Sequence, residues 1–105
     1  MRISTHPGEI LHEEFMLPHK LSANALAKGI FVPLNHVSEI ISGQRGLTAD
    51  TAMRLAVFFG NTPEFWQAHQ ASYDLSIAEK LHEAEYADIK SLLTKDESIA
   101  AAKRT

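Results

Sequence analysis

Residues 34 to 45 bring together an amide, an imidazole, a hydroxyl, a carboxylate and a guanidinium: Asn35, His36, Ser38, Glu39 and, a little further on, Arg45. Val37, Ile40 and Ile41 recur at helical spacing and mark one buried side. Leu34, Asn35, His36, Ser38 and Glu39 are then left facing outward over the first two turns. The chemistry such a set can do is the reading of base edges. Asn35 can pair bidentately with an adenine, Glu39 can accept from a cytosine, Leu34 can touch a thymine methyl, and His36 or Ser38 can bond bases or phosphates. Arg45, in the loop beyond, suits phosphates, as do Ser22 and Asn24 near the start of the preceding helix; such contacts position without specifying. Taken singly, Asn35 and His36 are equally well read as solvated first-turn residues, and Glu39 as a surface charge. As a group they point to DNA.

Catalytic chemistry finds less support. His12-Glu13 begins like a zinc-protease motif, but the second His would fall at position 16, which is Met16. The six histidines, His6, His12, His19, His36, His69 and His82, lie on different elements without ligand spacing. No nucleophile-elbow or phosphate-loop glycine pattern occurs. Phe59, Phe65 and Trp66 form an aromatic group at helical spacing that reads as core. No enzyme, metal site or cofactor is expected.

The elements that must hold the polar set are legible from their ends. Ser22, Thr48 and Thr62 each stand where an apolar-periodic run begins, as N-caps do. A short helix around Ala23–Lys28 is followed by a break, and the chain restarts at Pro33, a residue suited to a first helical turn. Two short helices joined by a tight turn form the bihelical unit whose second helix enters the major groove. Ahead of it, Pro7 opens a helix with Ile10, Leu11, Phe15 and Met16 on its apolar face, closed by Pro18. Behind it, a fourth helix carries Ala52, Leu55, Ala56 and Phe59 and ends at Gly60-Asn61. A fifth starts at Thr62-Pro63-Glu64, and a weaker helix is expected beyond Leu75. The final ESIAAAKRT is expected to fray.

Composition is consistent with this plan. A chain of 105 residues with 45% hydrophobic content makes one globular unit, and no alternating Val/Ile/Thr-rich run argues for strands, so the fold is predicted to be all-α. The absence of Cys removes disulfides and thiolate sites and fits a reducing cytoplasm. No signal-peptide layout or membrane-length apolar run is present, so no membrane association is expected. The net charge of −3 runs against the basic footprint usual for nucleic-acid binding. The charges are uneven, however. Residues 20 to 54 carry Lys20, Lys28, Arg45 and Arg54 against Glu39 and Asp50, while the chain from Tyr73 onward is acidic.

Several runs carry a family resemblance. They are His6-Pro7-Gly8-Glu9-Ile10-Leu11, Leu21-Ser22 with Asn24 and Leu26-Ala27, Val37-Ser38-Glu39-Ile40, and Ser42-Gly43-Gln44-Arg45-Gly46-Leu47-Thr48-Ala49-Asp50-Thr51-Ala52. Arg54-Leu55-Ala56, Phe58-Phe59-Gly60, Pro63-Glu64-Phe65-Trp66 and Gln70-Ala71 leading to Tyr73-Asp74-Leu75 continue it, so the likeness covers residues 6 to 75. In these the chain resembles the HigA-type antitoxins of the Xre-like helix-turn-helix class. That implies a lambda-repressor-like domain of five to six helices over residues 1–75, with residues 76–105 a helical extension of the same unit. It also implies binding to a HigB-like mRNA-cleaving toxin and repression of the protein's own operon. Two positions depart from the pattern. Phe31 stands in the tight turn where Gly is usual, and Gly can take a positive φ without strain; a reshaped turn is the expectation. His69 stands where an apolar residue, usually Leu, is usual.

Partner surfaces follow from charge and leftover apolar residues. A homodimer is expected because operators are commonly two-fold. Ile77, Leu81, Ile89, Leu92 and Leu93 are its candidate contacts, unless they pack back on the core. Glu79, Glu83 and Glu85 are candidates for meeting a basic toxin. No small-molecule substrate is expected. A stand-alone repressor without a toxin, and an interaction protein that has lost DNA affinity, are the alternatives.

Overall fold

The computed structural model describes residues 4–93 and 95–103, apart from the side chains of Ser98, Ala101 and Lys103; residues 104 and 105, within the expected frayed end, lie outside it. It is helical throughout, with no strand among the described residues. The elements are α1 (Pro7–Ile10), which runs into a π-helical stretch (Leu11–Met16), then α2 (Ala23–Ile30), α3 (Leu34–Ile41), α4 (Ala49–Phe59), α5 (Pro63–Asp88) and α6 (Lys95–Lys103). No helix among them is long and apolar enough to cross a membrane.

Each predicted cap is made. The side-chain oxygens of Ser22, Thr48 and Thr62 accept from the backbone N–H groups of Ala25, Thr51 and Phe65. Gly60 closes α4 in the left-handed region at φ 73°, where a residue without Cβ is unstrained. Pro33 is the residue just before α3 rather than its first. At the start of α1, His6 Nδ1 accepts from the N–H of Gly8 at 2.9 Å.

The first helix differs from expectation in pitch. Leu11 and Met16, five residues apart, are both buried, and the backbone widens to i→i+5 bonding so that both face inward; the Leu17 N–H reaches the His12 carbonyl at 2.9 Å. Gly8 lets this helix close on α3, because a Cβ there would overlap the carbonyl oxygen of Ile40.

The core lies where α1 to α5 converge. Leu11, Leu26, Val37, Ile40, Ala52, Leu55 and Trp66 are buried in one cluster, with Ile41, Phe15, Phe59 and Phe65 packed on it half-buried. Trp66 is fully enclosed, its ring 4.8 Å from that of Phe15 and 5.1 Å from that of Phe65, and its Nε1 donates to Asn61 Oδ1 at 2.9 Å. The aromatic group is therefore core. His69 is half-buried with its ring edge-on to Phe65 at 4.7 Å, so an aromatic contact replaces the aliphatic one.

The chain does not break at Leu75, contrary to expectation. α5 runs on to Asp88 but kinks at His82 (φ −127°, ψ 20°), where two helical segments meet, so the interruption falls seven residues later than expected. Nothing between Leu75 and Lys80 interrupts a helix, and Ser76 is tied in by donating to the Tyr73 carbonyl and accepting from the Ser4 N–H. The end expected to fray is helical through Lys103, in keeping with its alanine run and acidic first turn.

Candidate nucleic-acid interface

α3 turns Val37 and Ile40 into the core and leaves Leu34, Asn35 and Ser38 exposed, with His36 and Glu39 half-buried at the edges of that face. The half-buried pair is engaged within the protein. Glu39 Oε1 accepts from Arg45 Nη2 at 2.8 Å and Nε at 3.2 Å, and the Glu39 carbonyl accepts from the N–H groups of Gln44 and Arg45. The two residues expected to contact DNA separately thus form one unit, which fixes the loop after α3. Arg45 keeps further N–H donors beyond those given to Glu39, so it remains able to bond a phosphate.

His36 reaches across to α4, its Nε2 3.2 Å from the hydroxyl of the fully buried Thr51. Thr51 Oγ1 is in turn 3.2 Å from Thr48 Oγ1, the cap of α4. The ring therefore ties the reading helix to the helix behind it. Gln70, on α5, supports the loop from below: its Oε1 accepts from the Leu47 N–H at 2.7 Å and its Nε2 donates to Asp74. Ser22 and Asn24 lie exposed at the start of α2, the Ser22 hydroxyl serving as its cap.

The turn between α2 and α3 is not reshaped. Phe31 itself takes the left-handed conformation (φ 60°, ψ 46°) that glycine usually supplies. Its N–H bonds back to Lys28, and that of Val32 bonds to Ala27, the pairing that closes a helix end of this kind.

Thr51, Arg54 and Gln70 are the supporting residues that a reading of local pattern passed over. Faint signals existed: Thr51 is the residue whose N–H the Thr48 cap receives, and Asp50 with Arg54, like Gln70 with Asp74, are i,i+4 pairs. Among the described residues, no group of three or more histidines or carboxylates can hold a metal ion.

Two imidazoles in this framework titrate below their ordinary value of 6.5. His6 is lowered by burial, opposed by the Asp74 carboxylate. His36 is lowered by burial and next by the Arg45 guanidinium, with Arg54 adding to this and Glu39 and Asp50 opposing it. A lowered histidine means that the unfolded chain takes up its proton first as pH falls. The stability held by the two neutral rings is thus present above about pH 6.5 and lost as pH falls through their folded values. Protonation would also turn His6 Nδ1 from acceptor to donor and undo the α1 cap. The urea midpoint is expected to drop between pH 7.5 and 5.5, and to drop less in a His6→Gln, His36→Gln double variant. Equal drops in both proteins would remove these rings from the account.

The chain is similar to known proteins in both sequence and fold. The family model described as helix-turn-helix matches residues 13–66. Virulence-associated protein I of Dichelobacter nodosus is 51% identical over 75 residues, which span 71% of this chain and 69% of its own length. The structure of an addiction module antidote protein of a HigA family from Coxiella burnetii is 46% identical, covering 86% of this chain and 99% of that one, with a TM-score of 0.81. The antitoxin HigA of Pseudomonas aeruginosa, solved with the higBA promoter, is 37% identical, covering 85% and 98%, also at a TM-score of 0.81. With the bihelical unit matched and solved relatives alike over nearly their whole length, this chain belongs to the HigA-type antitoxin family of helix-turn-helix proteins.

Proposed function

We propose that the protein is an antitoxin that binds operator DNA as a homodimer, represses the operon encoding it, and neutralises an mRNA-cleaving toxin of the HigB type. The observation that carries the DNA half is the exposed face of α3 in a fold that matches an antitoxin solved with its promoter. On this reading Leu34, Asn35 and Ser38 address base edges, with His36 and Glu39 at the margins. Arg45 and the α2 start, with Ser22 and Asn24, address phosphates. The test is fluorescence anisotropy on the labelled upstream region of the gene against a scrambled fragment, across a salt series. Preferential binding that weakens linearly with log salt is expected. Equal affinity for both fragments would defeat the operator reading.

Apolar exposure supports the dimer. Leu81, Ile89, Leu92 and Leu93 are exposed, Leu92 at 96%, and only Ile77 of the five candidates is half-buried, so they do not pack back on the core. For the toxin, Glu79 and Glu83 border a groove of about 780 Å³ on α5 that also holds Leu75 and Tyr86. Glu85 faces elsewhere and bonds His82. An acidic rim around an apolar floor suits a basic partner. Changing Glu79, Glu83 and Glu85 to Lys is expected to slow toxin association about tenfold or more at low salt. An unchanged association rate would place the toxin on another face.

A further inference from the structure

Arg54 lies half-buried on α4, and its side chain crosses to the turn between α2 and α3. Nη1 donates to the carbonyl oxygen of Ile30 at 2.9 Å and reaches that of Phe31 at 3.4 Å, while Nε donates to Asp50 at 2.8 Å. The Ile30 carbonyl ends α2 and the Phe31 carbonyl lies just beyond it, at the end of a helix where backbone acceptors lack intrahelical partners and the dipole is negative. A guanidinium there satisfies both conditions.

The turn has reason to need such a partner. Phe31 holds φ 60°, a conformation that strains any residue with a Cβ. Phe31 is 86% exposed, so burial of its side chain does not offset that strain. The bonds from Phe31 and Val32 back to Lys28 and Ala27 close α2 on itself. Ile30 is buried in the core and Val32 packs against it, so both flanks of the turn are anchored by packing. Arg54 adds a hydrogen-bonded tie from α4 to the turn's own carbonyls, with Asp50 one turn earlier orienting it. Gly29 serves the same junction differently, since any Cβ there would overlap the Phe58 ring of α4.

We propose that Arg54 is a positioning residue for DNA reading: by clamping the Ile30 and Phe31 carbonyls to α4 it holds the strained turn and sets the pose in which α3 presents Leu34, Asn35 and Ser38. The inference rests on the operator-binding reading above and names a residue through which it works. Arg54 acts through the turn and touches no base. Its loss therefore affects discrimination more than attraction to the phosphate backbone. A merely stabilising arginine would behave otherwise, lowering the folded fraction and so weakening binding to all DNA alike.

The experiment uses the full chain as wild type, Arg54→Ala, Phe31→Gly and the double variant, each at a temperature where circular dichroism shows it folded. Anisotropy gives the ratio of affinities for the operator fragment and the scrambled fragment. Arg54→Ala is expected to lower that ratio about tenfold, with little change in affinity for scrambled DNA. In the Phe31→Gly background the loss is expected to shrink to about threefold or less, because glycine holds the left-handed position without strain. A folded Arg54→Ala protein that discriminates like wild type overturns the proposal, and so does an equal loss in both backgrounds. Wild type that shows no operator preference defeats the operator reading itself, a distinct outcome. Should Arg54→Ala fail to fold, Arg54→Lys takes its place. It keeps the charge but lacks the planar fork whose Nε and Nη1 serve Asp50 and the Ile30 carbonyl from separate atoms, and a loss of several-fold in the ratio is then expected.

Discussion

Trp66→Ala is expected to cost about 3–5 kcal/mol of folding stability, the range for removing a fully buried large aromatic side chain. A domain of this size has about 5–15 kcal/mol in all, so the variant should be substantially unfolded at physiological temperature. The physical case is direct. Trp66 is fully enclosed, in contact with Phe15 from the first helix, Phe59 from α4 and Phe65 beside it on α5. Three elements therefore meet on one ring, and its removal would leave a cavity among them. Trp66→Phe should be milder, since a ring remains and half-buried Asn61 can turn its freed Oδ1 to water. Urea unfolding of both variants checks this. A loss below about 1.5 kcal/mol for the alanine variant would show the cluster able to repack. The consequence reaches the reading head, because α5 also carries Gln70, which holds the Leu47 N–H and with it the loop that follows α3.

The second large effect concerns DNA and separates two kinds of contact. Asn35→Ala is expected to lower preference for the operator over scrambled DNA by about 1–3 kcal/mol, the worth of one bidentate base contact, with affinity for scrambled DNA nearly unchanged. Arg45→Ala is expected to weaken both fragments alike and to lower the slope of log affinity against log salt by about one per monomer. The ion pair complicates the second variant in a useful way. Removing Arg45 frees Glu39, a carboxylate on the edge of the reading face, so affinity should fall further than one phosphate contact explains. Pairing it with Glu39→Gln should recover that excess and leave only the phosphate contribution. If Arg45→Ala instead alters discrimination and not the salt slope, its role is to shape the loop rather than to meet the backbone.

What could be read from the amino acids alone was local. The caps at Ser22, Thr48 and Thr62, the stop at Gly60 and the inward trio Val37, Ile40 and Ile41 are each settled within about one helical turn, where a hydroxyl, a glycine or a 3.6-residue period is sufficient cause. From them follow the bihelical unit and the outward face of α3. The Phe31 position was equally legible, since it marked the one place where the turn demands a positive φ. That the turn keeps its shape despite Phe31 was not, because the Arg54 guanidinium arrives from 23 and 24 residues away. The same reason covers the other surprises. His36 is tied to Thr51 and Leu47 to Gln70 by bonds that only packing brings within reach. The π-helical stretch brings both Leu11 and Met16 to the core, and Ser76, where α5 runs on past Leu75, accepts from the distant Ser4 N–H. Local propensity thus determined which helices exist and which side of α3 faces outward. Only tertiary contact decided how firmly that side is held, because the groups that hold it come from helices the local pattern cannot connect.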